Sequence, residues 1–198
     1  MSRIIRQNIS NGVNAAALII ARGGSKRLPG KNNLDFAGKP VFTWNIVKAK
    51  KFFPKVYFSS DSSEMLAAAK KFGAITIKRP PELARDDVPN IPVFLHAFEG
   101  MDNPDMLVSL QSNSPTVPED LIARALAIME DPGILELTTV DRKLKIHGSI
   151  WAIKRERLLN YGDPYEYKAE IFMRDDSVDI HTREDFEQAL LQLKNMNP

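Results

Sequence analysis

The sequence predicts an α/β fold, built as β-α units around a largely parallel sheet, and three observations carry this. Short apolar runs alternate with amphipathic stretches along most of the chain. The first run, Ala15 to Ile20, has no polar alternation, so that strand is expected to be buried on both faces, as in a parallel sheet. Finally, 198 residues with 43% hydrophobic content suffice for one such unit and are too few for two. The expected organisation is a polar N-terminal extension over 1–14 and a single domain over 15–198.

After Ala15 to Ile20 the chain reads as a long loop from Ala21 to about Pro40. Pro40 fits the first turn of a helix reaching about Lys51, with Val41, Trp44, Ile46 and Val47 as its apolar stripe. Lys55 to Ser59 is the second expected strand. Asp61, with Glu64 three residues on, marks the start of a helix ending at Phe72. Ala74 to Ile77 reads as a short strand, Lys78 to Asn90 as a proline-rich charged loop, and Ile91 to Glu99 as a helix. Met106 to Leu110 is the next strand, followed by the polar turn Gln111 to Thr116 and a helix from Pro118 to Met129. Two further strands are expected at Ile134 to Val140 and Ser149 to Ile153. Thr182 caps a last helix, in which Phe186, Ala189, Leu190 and Leu193 recur at helical spacing. The stretch from Asp141 to Asp176 has the weakest pattern.

Composition removes several function classes. Lysine and arginine total 27 against 25 acidic residues, a net charge of +2, so no global field exists to hold a nucleic acid or a membrane surface. The chain has no cysteine, which excludes disulfides, thiolate zinc sites and thiol catalysis. The apolar runs fall short of the ~20 residues of a membrane helix, and Met1 to Asn14 is too polar for a signal peptide, so a cytoplasmic location is expected. The Asn8-Ile9-Ser10 sequon is then a chance match.

In an open parallel sheet the ligand crevice lies at the carboxyl ends of the strands, so the loops after Ile20, Ser59 and Leu110 should converge. The first of these, Ala21-Arg22-Gly23-Gly24-Ser25-Lys26-Arg27-Leu28-Pro29-Gly30-Lys31-Asn32, packs glycines among cations directly after a buried strand. Glycine admits close backbone approach and cations give strong charge-assisted bonds, so the composition suits a polyphosphate; the plain alternative is a solvated basic loop. It is not a Walker A loop, because Gly24 to Gly30 encloses one residue too many and Asn32 follows Lys31 in place of a hydroxyl. The dinucleotide fingerprint fails on glycine spacing. There is no histidine pair at metal spacing and no Gly-x-Ser-x-Gly elbow.

The run Ala21-Arg22-Gly23-Gly24-Ser25-Lys26 with Pro29, Lys31 and Asn32 resembles the nucleotide-binding loop of the acylneuraminate cytidylyltransferases, the CMP-sialic acid synthetases. The likeness continues through Ala37-Gly38-Lys39-Pro40, Ser59-Ser60-Asp61, Arg79-Pro80, Glu82-Leu83-Ala84 with Asp86, Gln111 to Pro115, and Val178-Asp179-Ile180. It holds over most of residues 15–125 and again over the last helix. The resemblance implies a Rossmann-like, three-layer α/β/α sandwich of the nucleotidyltransferase type with a mostly parallel sheet. It also implies transfer of a cytidylyl group from CTP to the hydroxyl of a small acidic 2-keto sugar, with release of pyrophosphate and Mg²⁺ as cofactor. Arg22 and Lys31 would take the phosphates beside the amides of Gly23, Gly24 and Ser25 and next to Ala21. Asn32 would reach the nucleotide sugar or base, and Arg79, Asn90 and Gln111 would read cytosine. Asp179 would serve the metal, so that Arg22, Lys31 and Asp179 form the catalytic set. Without the resemblance, Arg79 also reads as a surface ion pair and Gln111 as an amide capping its turn. A homodimer is implied by the resemblance alone.

The chain departs from that family at three places. The family's Asp-x-Asp metal pair is here Asp179 and His181, so His181 is either a second ligand, pointing to a softer ion such as Mn²⁺, or a solvated residue before the Thr182 cap. The turn Gln111-Ser112-Asn113-Ser114-Pro115-Thr116-Val117 lacks the family's arginine at its end, and the stretch between Met129 and His147 is short. Lys143 and Lys145 could meet an acceptor carboxylate or simply be solvated. His147 could line a sugar site or enter a strand, and His96 reads as packed or surface. The alternatives to the sialic-acid-like acceptor are another small acceptor, a sugar phosphate or phosphonate, and an inactive nucleotide-binding relative.

Overall fold

The computed structural model describes residues 13–25 and 27–196. The expected extension over 1–14, apart from Val13 and Asn14, lies outside the described residues, as do the Asn8 sequon and Lys26 of the basic loop. Seven strands form one sheet: β1 (Ala15–Ile20), β4 (Val56–Ser60), β5 (Ile75–Lys78), β6 (Met106–Leu110), β7 (Glu136–Val140), β8 (Ile146–Lys154) and β9 (Ile171–Arg174), in the order β5-β4-β1-β6-β8-β7-β9. The half containing β5, β4, β1 and β6 is parallel, with Ala17 opposite both Val56 and Val108. β8 runs antiparallel to β6 and to β7, and β9 pairs in parallel with β7. The sheet is thus mostly parallel through its first half, and the antiparallel β7–β8 hairpin closes the other half.

Residue alternation explains why the central strand β1 carries no polar position. In β1, Ala15, Ala17 and Ile19 face one helical layer: α1 (Thr43–Ala49), α2 (Ser63–Lys71) and α4 (Glu119–Met129), through Ile46, Met65, Ala69, Ile122 and Ala125. Ala16 and Leu18 face the other layer, α3 (Asn90–Glu99) and α5 (Arg155–Leu159), through Ile91, Phe94, Ala97 and Leu158. With successive side chains on opposite faces, a strand covered on both sides must be apolar throughout.

A third, smaller cluster positions the functional end of the molecule. The two-residue strands β2 (Asp35–Phe36) and β3 (Lys39–Pro40) pair as an antiparallel ribbon, and Phe36 and Val41 pack against Ile180 and against Phe186, Ala189 and Leu193 of α6 (Arg183–Met196). The segment 178–182 is thereby carried to the edge of the basic loop. Pro40 accordingly belongs to the ribbon and does not open the helix, which starts at Thr43 with the hydroxyl donating to the Pro40 carbonyl at 2.7 Å. α2 takes its cap from Ser62, whose hydroxyl accepts the Met65 N–H at 3.3 Å, and Asp61 is left for another partner. Among the described residues no helix is long and apolar enough to cross a membrane.

Candidate active site

The loops leaving β1, β5 and β6 at their carboxyl ends enclose a cleft of about 500 Å³; the turn after β4, expected to join them, contributes no lining residue and instead anchors the basic loop from outside through Asp61. Of the expected nucleotide residues, Ala21, Arg22, Gly24, Ser25, Lys31, Asn32, Arg79, Asn90 and Gln111 all line it. Gly23 does not: its N–H donates to Asp61 Oδ1 at 2.9 Å, and a Cβ added there would meet Ser62 Cβ at 3.2 Å. Gly23 therefore ties the basic loop to the start of α2, and Gly24 and Ser25 are left to line the cleft. Gly30, with φ of 66°, takes the left-handed turn that leads into the short 3-10 helix Lys31–Asn33.

The cations reach the cleft from different depths. Arg22 is partly exposed and paired with Asp86, from the loop after the 3-10 turn Pro81–Ala84. Lys31 is half-buried and donates to the Ile180 carbonyl at 2.8 Å. Burial lowers its pKa; the Asp179 carboxylate opposes that shift and the neighbouring Arg27 and Arg22 add to it. Arg79 is buried, not a surface residue. It donates to Ser59 O at 2.7 Å, Ser59 Oγ at 3.3 Å and Ala21 O at 3.2 Å, bracing the ends of β1 and β4, and burial brings its pKa down to about 10. Two cleft residues hold buried side-chain oxygens with no partner: Asn32 Oδ1, whose amide nitrogen donates to Arg22 O at 3.2 Å, and Gln111 Oε1. An unpaired buried acceptor costs about 1–3 kcal/mol, so both oxygens call for a donor from a ligand.

The turn bearing Gln111 is held from beneath by two buried residues of α1. Asn45 Nδ2 donates to Gln111 O at 2.7 Å and to Ser114 O at 3.1 Å. Lys48 Nζ donates to Pro115 O at 2.6 Å and to Val117 O at 2.7 Å. Neither residue stands out in the sequence, because a polar side chain on an amphipathic helix reads as solvated.

At the far wall, Asp179 and His181 are brought together as a hydrogen-bonded pair, His181 Nε2 to Asp179 Oδ2 at 2.6 Å. Asp179 Oδ1 accepts a second bond from Asn113 Nδ2, and His181 Nδ1 lies 2.6 Å from an Arg27 guanidinium nitrogen. His181, Asn113 and Arg27 line the cleft, whereas Asp179 stands behind them. Among the described residues no group of three His, Cys, Asp or Glu side chains could hold a metal ion. One carboxylate beside an imidazole suits a divalent ion that arrives with phosphate oxygens and waters of its own, and does not suit one held by Asp179 and His181 alone.

The remaining candidates lie outside this cleft. His147, at the start of β8, is 3.4 Å from Ser177 Oγ and 3.5 Å from the buried Asp175. Lys143 and Lys145 sit in the β7–β8 turn, where their backbone N–H groups donate to Asp141. His96 lies within α3, with Nδ1 buried and unpartnered.

Comparison with known proteins identifies the family and the fold. Residues 16–193 match the family model described as Cytidylyltransferase. The chain is 31% identical over 130 residues to the N-acylneuraminate cytidylyltransferase of Oncorhynchus mykiss, covering 65% of this chain and 30% of that protein. It is 34% identical over 115 residues to the pseudaminic acid cytidylyltransferase of Campylobacter jejuni, covering 54% and 50% respectively. The matches thus span half or less of these relatives' length. Among solved structures, a CMP:2-keto-3-deoxy-manno-octonic acid synthetase complexed with CTP superposes with a TM-score of 0.76 at 18% identity, over 92% of this chain and 99% of that one. A cytidylyltransferase from Leptospira borgpetersenii gives 0.69 at 22% identity, over 94% and 95%. At these identities the two structures establish the shared fold.

Proposed function

The chain belongs to the cytidylyltransferase family, and from that premise we propose that it transfers a cytidylyl group from CTP to the hydroxyl of a small acidic 2-keto sugar, residues 15–198 acting as one nucleotidyltransferase unit. The observation that carries the reading is the cleft itself. Arg22 and Lys31 line it together with buried acceptors without donors on Asn32 and Gln111. A triphosphate answers the cations, and the exocyclic amino group of cytosine is the kind of donor that Gln111 Oε1 lacks.

In the reaction, the acceptor oxygen bonds to the α-phosphorus as the bond from that phosphorus to the β-phosphate bridging oxygen breaks. Pyrophosphate leaves, and the hydroxyl proton passes to solvent. The cleft offers cations and amides and no activated nucleophile, so the displacement is direct and in line. Lys31 and Arg22 stabilise the charge that moves onto the departing pyrophosphate. Arg22, partly exposed and paired with Asp86 through one nitrogen, has further N–H donors to offer the triphosphate. A divalent ion entering with the triphosphate, Mg²⁺ or Mn²⁺, would be held by Asp179 and would supply Lewis-acid stabilisation at the phosphoryl group.

The wall facing an acceptor is small, because between Met129 and His147 the chain forms only a turn and β7 with its hairpin turn. This favours, as a second reading, a sugar phosphate or phosphonate acceptor. The test is pyrophosphate release from CTP, UTP, ATP and GTP against acidic 2-keto sugars, sugar phosphates and phosphonates. Release with CTP and a 2-keto acid supports the first reading, and release with a phosphorylated acceptor alone supports the second. CTP binding without turnover on any acceptor would instead mark an inactive nucleotide-binding relative.

A further inference from the structure

We propose that His181 is a positioning residue for Arg27, and that the guanidinium it holds supplies at the phosphate end of the cleft the positive charge otherwise brought by a metal, so that CTP binds this chain without a divalent cation. The proposal rests on the nucleotide reading above. It comes from a chain of four side chains with fixed direction. A guanidinium has donors only, so Arg27 donates to His181 Nδ1 at 2.6 Å. The ring proton is then on Nε2, which donates to Asp179 Oδ2 at 2.6 Å, and Asp179 Oδ1 accepts from Asn113 Nδ2. The far end is anchored: Asn113 is buried, its carbonyl accepts the Ile180 N–H at 2.8 Å and its side chain donates to Ile180 O at 3.1 Å. The near end, Arg27, is an exposed arginine on a loop.

The identity of residue 181 decides the electrostatics. An aspartate there would neutralise Arg27 and turn that corner of the cleft into a cation site. An imidazole bonded as observed adds no negative charge, so it fixes the guanidinium in place and leaves its charge for the ligand. Arg27, Arg22 and Lys31 all line the cleft, and the first two are close enough to Lys31 to disfavour its protonation. Cations crowded in this way are relieved by a polyanion.

Calorimetric titration of the full chain with CTP, in EDTA and in excess Mg²⁺, tests the proposal. The wild type is expected to bind in EDTA within about tenfold of its affinity in Mg²⁺. Arg27→Ala is expected to lose tenfold or more in EDTA. His181→Ala should reproduce most of that loss, and the double variant should be no weaker than Arg27→Ala, because the imidazole acts through the guanidinium. His181→Asp should lose affinity in EDTA and regain it with Mg²⁺, which also shows that a folded variant is being read. Binding by the wild type only in Mg²⁺, or losses that add in the double variant, would overturn the proposal and leave the nucleotide reading standing. Absence of CTP binding in both buffers would remove the nucleotide reading, and this proposal with it.

Discussion

Lys31 concentrates the chemistry of the cleft in one side chain. Its ammonium is half-buried on the Ile180 carbonyl, and burial disfavours its charge, opposed chiefly by Asp179. Lys31→Ala should therefore weaken CTP binding by about 2–3 kcal/mol, the range for a lost charge-assisted bond, as measured by calorimetry at pH 7; unchanged affinity would place the phosphates elsewhere. The pH dependence has a definite sign. A lysine whose pKa lies below its ordinary value loses its proton earlier as pH rises, so wild-type affinity should fall as pH is raised from 7 towards 10. Lys31→Ala should show a shallower fall over the same range. Lys31 was legible from sequence because glycines and cations directly after a buried strand have few other uses. Arg27 sits in the same run, yet its pairing with His181 spans 154 positions and leaves no local trace.

At the scale of elements, the polar turn after β6 is held by α1. Four of its carbonyls converge on Asn45 and Lys48, and Lys48 retains an ammonium that burial pushes down to about 8. In the unfolded chain the same lysine titrates near 10.5, so between about pH 8 and 10.5 the unfolded state binds more protons and folding is favoured as pH rises. Comparing urea unfolding of wild type and Lys48→Met at pH 7.5 and pH 10, the wild type should gain on the variant by an amount on the order of 2 kcal/mol. A difference that does not change with pH would show that Lys48 titrates normally. Sequence periodicity finds α1 but starts it three residues early, at Pro40, and misjudges its buried face: Asn45 and Lys48 are covered, while Trp44 and Val47 are only partly so. The reason is that the partner of this face is a row of backbone carbonyls, which rewards donors and not apolar side chains.

Over the whole molecule, the readable half and the obscure half of the sequence correspond to two kinds of sheet. β1 and β6 are covered on both faces and appear as apolar runs, broken in β6 only by the buried Ser109, and the bounds expected from sequence match the observed ones. β8 runs antiparallel between β6 and β7, with a register shift between Thr138 and Val140, and β9 is a four-residue edge strand with Phe172 half exposed. Mixed burial of that sort blurs any period, which is why the stretch after Asp141 resisted assignment. The cleft draws almost wholly on the parallel half and on segment 178–182, packed there by α6. A ligand bridging the basic loop, the Gln111 turn and His181 therefore ties the two ends of the sequence together, and its binding should register in global stability. At one hundred times its dissociation constant, a ligand specific for the native state adds about 2.7 kcal/mol, which for a chain of this length corresponds to a rise in Tm of roughly 5–10 °C. CTP is expected to give such a shift by calorimetric scanning, and UTP and GTP at the same concentration a clearly smaller one, because on the proposed reading the cytosine amino group donates to Gln111 Oε1, whereas uracil carries a carbonyl oxygen at that position and guanine is a larger ring with its donors placed elsewhere. Equal shifts from all three would mean that the cleft holds the triphosphate and is blind to the base.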